Sequence, residues 1–264
     1  MQALQNETEA EDLRKAFRLG EPPRVTAGLA PGYTQANLVI LPESSAFDFL
    51  RFCVRNPKPC PVLEVTDPGS PEPRLMAPGA DLRTDLPLYR VFRHGELVEE
   101  VSDVSGLWRD DLVAFLLGCS FTFEQALQAA GLPVRGLEAG ATYTAYKTSL
   151  DCVPAGIFSG PMVVTMRPML PDEAVRAVRV TSRYPMAHGA PVHIGDPSAI
   201  GIGDLGAPDF GDPVELRPGE IPVFWACGIT PQVVALHSGV EFMITHAPGH
   251  MFITDVRDEA LALR

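Results

Sequence analysis

The sequence predicts an α/β protein, with a main α/β sandwich and a smaller α+β unit inserted into it. Three observations carry this expectation. Ile221–Gln232 reads IPVFWACGITPQ, a strand running straight into the start of a helix. Ile221, Val223, Phe224 and Trp225 are strand formers, and Thr230 and Pro231 stand where an N-cap and a first helical residue belong. Glu241–His246 (EFMITH) is a second strand-like run directly after that helix. Strand, helix and strand in this order predict a right-handed parallel crossover, with both carboxyl ends on one rim. Between the ends of the chain, residues 142–220 change character, with β-branched strands separated by Gly- and Pro-rich loops. They are read as the inserted α+β unit, leaving 1–141 and 221–264 as the two parts of the main domain.

The elements follow in order. Thr8–Glu11 is a T-x-x-E capping box opening a helix with Leu13, Ala16 and Phe17 on one face, stopped by Gly20 and Pro22-Pro23. Asn37–Leu41 is a buried strand. Ser45, with Asp48 three residues on, starts a helix that Pro57 ends, and Val62–Val65 is the next strand. A long turn-rich loop leads to a hairpin over Tyr89–Glu99 that turns at His94-Gly95. The apolar run Trp108–Leu117 is expected as a helix, broken at Gly118-Cys119-Ser120-Phe121, with a second helix from Thr122 to Gly131. Thr142–Thr148 and Met162–Arg167 are strands, Pro171–Arg176 a short helix and Val178–Ser182 a strand again. No internal repeat or low-complexity segment is visible.

Composition narrows the function. The chain has 264 residues, a net charge of −12 and only 21 Lys plus Arg, so no basic field exists to hold nucleic acid or an anionic membrane. No apolar run approaches a membrane span. The acidic N-terminus lacks the apolar core of a secretory signal, and the five cysteines suggest no disulfide framework. A cytoplasmic protein with reduced thiols is expected. The 26 prolines predict short elements.

Two turns carry candidate chemistry. At Cys227–Thr230 the backbone amides of Gly228 and its neighbours, with the positive end of the helix dipole, suit a carboxylate or phosphate. The predicted rim adds His246 and His250, which titrate near neutrality, to the Cys227 thiol. The Gly118–Phe121 break offers the Cys119 thiol, the Ser120 hydroxyl and fresh helix amides. Tyr146 and Lys147 end a strand and add a phenol and an ammonium. His188 and His193 lack the one-face spacing of a metal pair, and no C-x-x-C, P-loop, G-x-S-x-G or helix-opening dinucleotide fingerprint is present, so neither metal nor cofactor is expected.

Seven segments together resemble the D-glutamate cyclase family. They are GYTQANLVILP from Gly32, RNPKPCPVLEV from Arg55, LVAFLLGCSFTFEQAL from Leu112, YKTSLDCVPAGIFSGPMVVTMRP from Tyr146, HGAPVHIGDPSAIGI from His188, GEIPVFWACGITPQ from Gly219 and ITHAPGHMFITD from Ile244. The resemblance runs from about Arg18 to Asp255. It implies an α/β sandwich with a smaller α+β domain, and a hydro-lyase that interconverts D-glutamate with 5-oxo-D-proline and water, within D-amino acid metabolism. A small anionic amino acid is then the expected partner, with a homo-oligomer left open. Joined to that chemistry, the Thr230 helix N-terminus would hold the α-carboxylate, and Arg83 or Arg167 the second carboxylate. His246 or His250 would serve as base and acid, and Cys119 or Cys227 as thiol acid or nucleophile. A hydro-lyase on another small hydroxy or amino acid, and a non-catalytic binder of an anionic metabolite, are the alternatives.

Overall fold

The computed structural model describes residues 2–135 and 143–263. Its first part runs α1 (Gln2–Arg18), β1 (Tyr33–Pro42), α2 (Glu43–Arg55), β2 (Val62–Val65), β3 (Tyr89–Arg93), β4 (Glu96–Val101), β5 (Leu112–Gly118) and α3 (Phe121–Ala129). Then come β6 (Thr144–Asp151), β7 (Pro161–Met169), α4 (Pro171–Thr181), β8 (His193–Ile194), β9 (Phe210–Gly211), β10 (Ile221–Ala226), α5 (Thr230–Ser238), β11 (Phe242–His246) and β12 (Phe252–Arg257). The expected strand start at Thr142 and the boundary at 141/142 lie outside the described residues.

Among the described residues the strands form two antiparallel sheets in a mixed α/β fold. A seven-stranded sheet has the order β2-β5-β1-β11-β3-β4, with β12 also paired to β1. A five-stranded sheet has the order β8-β10-β7-β6-β9. The second sheet therefore takes in strand 221–226, while β11 and β12 return to the first.

Leu112–Gly118 is a strand, which corrects the helix expected over Trp108–Leu117. It lies between β1 and β2 and is buried on both faces, so its apolar run is unbroken and the period of two is hidden. The alternation reappears in the packing. Val113, Phe115 and Leu117 join one core with Val39 and Leu41 of β1, Phe49 and Phe52 of α2, and Val234 and Ala235 of α5. Leu112, Ala114 and Leu116 join the other core, beneath the long loop through Met76, Ala80, Leu82 and Leu86. That loop is a cover for the sheet. Phe49 meets Phe115 edge-on at 4.9 Å, a favoured aromatic geometry that fixes α2 on the sheet.

Two further expectations are corrected. Val178–Ser182 continues helix α4, because Ala174, Ala177 and Thr181 form one buried stripe against the second sheet. The parallel crossover does not form, because β10 and β11 belong to different sheets. Helix α5 packs Val234 and Ala235 into the core of the first sheet, and this carries the chain across to pair β11 with β1 and β3. The hairpin turns at His94-Gly95 as expected, with φ of +51° and +77°.

Candidate active site

The site lies where the first sheet is incomplete. One edge of β1 is shared by two strands. β12 pairs as far as Ala36 and β11 begins at Val39, which leaves Asn37 and Leu38 between them. His246, the last residue of β11, fills this gap: its Nδ1 accepts the Leu38 amide at 3.1 Å. An amide N–H can only donate, so Nδ1 is the bare nitrogen and Nε2 carries the proton. Burial, aided by the charges of His250 and Arg90, lowers the pKa of His246 to about 4, so the ring is neutral. Asn37 turns the other way and donates to the Gly118 carbonyl at 2.6 Å, at the end of β5.

The second sheet closes on this gap. Gly228 lies so close to Asn37 that a Cβ there would meet the Asn37 amide group at 2.1 Å, and only glycine permits the approach. Between the two sheets is a cavity of about 60 Å³ lined by Asn37, Cys119, Ser120, Arg167, His188, Cys227, Gly228 and His246, among others. On the measure by which a water needs roughly 10–15 Å³, this is room for a small polar molecule.

Arg167 of β7 is its fixed cation. The guanidinium is 8% exposed and lies between the rings of Phe123 and Trp225, 5.3 and 5.4 Å from their centroids. Its Nη2 donates to Glu124 Oε1 and, at 3.3 Å, to Ser120 Oγ. Its Nη1 is buried and has no protein partner. A buried guanidinium nitrogen without an acceptor is costly, and an anion in the cavity would satisfy it.

His188 is the second buried group with an orphaned atom. It takes a left-handed backbone, φ +74°, which is uncommon for a side-chain-bearing residue. Its Nδ1 donates to the Lys58 carbonyl at 2.6 Å, leaving Nε2 as a buried lone pair without a partner. Burial lowers its pKa to about 4, and Arg167 adds to the effect. The cavity thus presents a lone pair at His188, a ring N–H at His246, a guanidinium at Arg167 and two thiols. Burial raises both thiols: Cys227 to about 11, tempered by the Ile229 amide and Arg167, and Cys119 further still.

Six of the sequence candidates come together here: Cys119, Ser120, Arg167, Cys227, Gly228 and His246. The other five do not line the cavity. Thr230 is fully buried with its hydroxyl spent on the backbone, accepting from Val163 N–H at 3.0 Å and donating to the Cys227 carbonyl at 2.7 Å. His250 lies between the lining residues Gly249 and Met251, and its ring Nδ1 bonds the Pro248 carbonyl at 2.9 Å. Arg83 pairs with Asp81 at 2.7 Å on the covering loop. Tyr146 faces the opposite side of its sheet and donates to the Leu205 carbonyl at 2.7 Å. Lys147 is solvated beside Asp209, at 3.8 Å.

His188, Asn37 and Glu124 escaped the sequence reading. For His188 the signal is present: the segment HGAPVHIG places it before glycine and close to proline, where a strained turn is expected, although its spacing from His193 suits no metal pair. Among the described residues, no group of three or more His, Cys, Asp or Glu could hold a metal ion, and no helix is long and apolar enough to cross a membrane.

Comparison with known proteins gives the family. A family described as D-glutamate cyclase matches residues 113–255, more than half of the chain and a span containing both cysteine turns, Arg167, His188 and His246. A protein of Rubrobacter xylanophilus named "Putative hydro-lyase" is 65% identical over 249 residues, covering 94% of this chain and 96% of its own. One from Stutzerimonas stutzeri with the same name is 62% identical over 251 residues, 95% of each chain. "Putative hydro-lyase YcsI" of Bacillus subtilis is 60% identical over 253 residues, 96% of this chain and 98% of its own. By a family match over more than half of its length and by 60–65% identity to these relatives over 94–96% of it, the chain belongs to the D-glutamate cyclase family.

Proposed function

We propose that this enzyme is a hydro-lyase that closes D-glutamate to 5-oxo-D-proline and water, and opens it in reverse. The observation that carries the reading is Arg167 at a cavity sized for a small acid: Glu124 and Ser120 take its Nη2, while its buried Nη1 has no hydrogen-bond partner. The family and the names of its relatives support the reaction class, and the family description supports the substrate.

The chemistry follows from the groups present. The α-carboxylate pairs with Arg167 Nη1 beside the Ser120 hydroxyl. His188 Nε2, an unprotonated nitrogen at neutral pH, takes a proton from the ammonium group and frees the amine. The amine nitrogen attacks the γ-carboxyl carbon. The C–N bond forms, the C–O bond breaks, and the two protons lost by the nitrogen, the one taken by His188 and the one released after attack, pass to the departing oxygen, which leaves as water; the His246 Nε2–H and the two thiols are candidates to hydrogen-bond that oxygen and relay these protons. Because the reaction is intramolecular, holding the folded conformer supplies much of the rate, and a narrow cavity suits that task.

The test is a mass balance. Purified enzyme is incubated with D-glutamate, L-glutamate and both 5-oxoprolines, and the gain or loss of one water is followed. Turnover of the D-forms is expected, with a much lower initial rate of gain or loss of water from the L-forms. A folded sample that turns over none of the four would overturn the substrate assignment.

A further inference from the structure

The two cysteine turns are copies of one another. Aligned on the thiols, Cys119-Ser120-Phe121-Thr122-Phe123-Glu124 matches Cys227-Gly228-Ile229-Thr230-Pro231-Gln232. Each follows a small residue ending a strand, Gly118 or Ala226, and each leads into a helix of 9 residues. One backbone bond repeats as well, although the hydroxyls differ: Thr230 Oγ1 bonds Val163 and Cys227, whereas Thr122 Oγ1 has no partner. The Thr122 amide reaches the Cys119 carbonyl at 3.2 Å, and the Thr230 amide reaches the Cys227 carbonyl at 3.0 Å. At the sixth position each helix binds an arginine of the opposite sheet: Glu124 takes Arg167 of β7, and Gln232 takes Arg90 of β3 at 3.3 Å. The likeness extends to the turn, its amide bond and the helix-to-arginine contact, with only the Cys and Thr identities shared.

The repeat has a chemical consequence. One thiol follows a strand of each sheet, and both line the cavity that Arg167 and His188 also line, each of these two with a buried nitrogen that lacks a partner. We propose that Cys119 and Cys227 work as a pair on the two faces of the substrate α-carbon, giving the enzyme a second activity, stereoinversion of an α-amino or α-amido carboxylate. The substrate class rests on the function proposed above. In the step, one cysteine gives its proton to His188 Nε2, and its thiolate then takes the α-proton as the Cα–H bond breaks. The electron pair passes into the carboxylate as an enediolate, whose charge meets Arg167. The thiol of the other cysteine then delivers its proton to the opposite face, a new Cα–H bond forms, and the pair has exchanged its charge. No oxidant, reductant or other reactant is consumed. Burial raises both thiols, Cys227 less than Cys119, so the first proton is assigned to leave Cys227.

Deuterium separates this activity from dehydration. Wild-type enzyme, Cys119→Ser and Cys227→Ser are incubated in D2O with D- and L-glutamate and D- and L-5-oxoproline, and each product is read for α-deuterium, for chirality and for change of one water. Wild type is expected to wash deuterium into the α-position with inversion, and each serine variant to lose inversion by about 100-fold or more, the usual scale for removing an acid or base. Water loss without α-deuterium in the wild type would overturn the thiol pair and leave the hydro-lyase reading standing. α-Deuterium without water loss would do the reverse, and neither in a folded sample would overturn both. Inversion that persists in folded serine variants would also overturn the pair.

Discussion

The Nδ1 of His246 accepts the backbone amide of Leu38 at 3.1 Å, closer than its 3.3 Å approach to the Leu38 carbonyl. A side chain here completes a β-ladder at the point where two strands part on their neighbour, and the same bond fixes which ring nitrogen bears the proton. Structure and reactivity are therefore tied in one residue. His246→Ala should destabilise the fold by about 1–3 kcal/mol through the stranded Leu38 amide, in addition to lowering turnover. Nitrogen NMR of the wild type should show the Nε2–H tautomer at neutral pH. A ring protonated on Nδ1 instead would remove the basis for this donor.

Acid stability should carry the signature of three buried groups. His188 and His246 both have folded pKa values lowered to about 4. From the unfolded value near 6.5 down to that point, the unfolded chain binds more protons, so each makes stability fall as pH falls. Asp258 acts in the opposite sense, because burial raises it to about 7 and its contribution is lost as pH rises from about 4 to 7. Two groups against one leave a net fall of about 1.4 kcal/mol per pH unit between pH 6.5 and 4. Denaturant titrations across this range should show that slope, and Asp258→Asn should roughly double it. A flat profile in the wild type would contradict the buried neutral histidines.

Arg167 and His188 should separate in kinetics. Arg167→Lys keeps the charge but loses the planar fork that reaches Glu124, Ser120 and the cavity at once, so KM should rise and kcat/KM fall by about 10- to 100-fold. His188→Gln should lower kcat by about 100-fold or more while KM changes little. A change confined to KM in the histidine variant would make it a binding group only.

The parts of this fold that were legible in the sequence are those where one local signal decides the structure. Val62–Val65 was bounded by turn residues, and His94-Gly95 had a composition suited to positive φ. The Cys227 turn had strand formers on one side and Thr-Pro on the other. Leu112–Gly118 was not legible, because burial on both faces erases the polar half of a strand and leaves a run that suits a helix equally well. The pairing of β11 was not legible either, since nothing local to strand 221–226 or helix 230–238 says which sheet the next strand will join. The site shows the same division. Cysteines, serine and Arg167 were found by chemical type, but Thr230 was assigned to an anion by its position at a helix start, when its hydroxyl faces the backbone of β7.

Thr230 accordingly gives a prediction opposite to the one its position suggests. Thr230→Val removes bonds to Val163 and Cys227 and leaves the buried Val163 amide unpaired, while the Cys227 carbonyl keeps the Thr230 amide, so stability should drop by about 1–3 kcal/mol. KM for the carboxylate should stay within about twofold, because the hydroxyl does not line the cavity. Thermal melts and steady-state kinetics on the same preparation check this. A large rise in KM with unchanged stability would return Thr230 to the anion site.

Gly228 and Asn37 give the sharpest structural test of the cavity. The glycine φ is not in the left-handed region, so alanine meets no backbone penalty, and its cost lies in the contact alone. A Cβ would stand 2.1 Å from Asn37 Cγ, Oδ1 and Nδ2, and Asn37 cannot swing away freely because its Nδ2 is bonded to the Gly118 carbonyl at 2.6 Å. Gly228→Ala should therefore push the two sheets apart at the cavity, with a loss of about 1–3 kcal/mol for an overpacked contact and a fall in activity. Shortening the neighbour relieves the clash, so Asn37→Ala should cost less in the Gly228→Ala background than in the wild type. The two changes should couple by about 0.5–3 kcal/mol, the range for residues in direct contact. Strict additivity of the two changes would mean that the sheets do not meet at these residues, and the cavity between them would lose its floor.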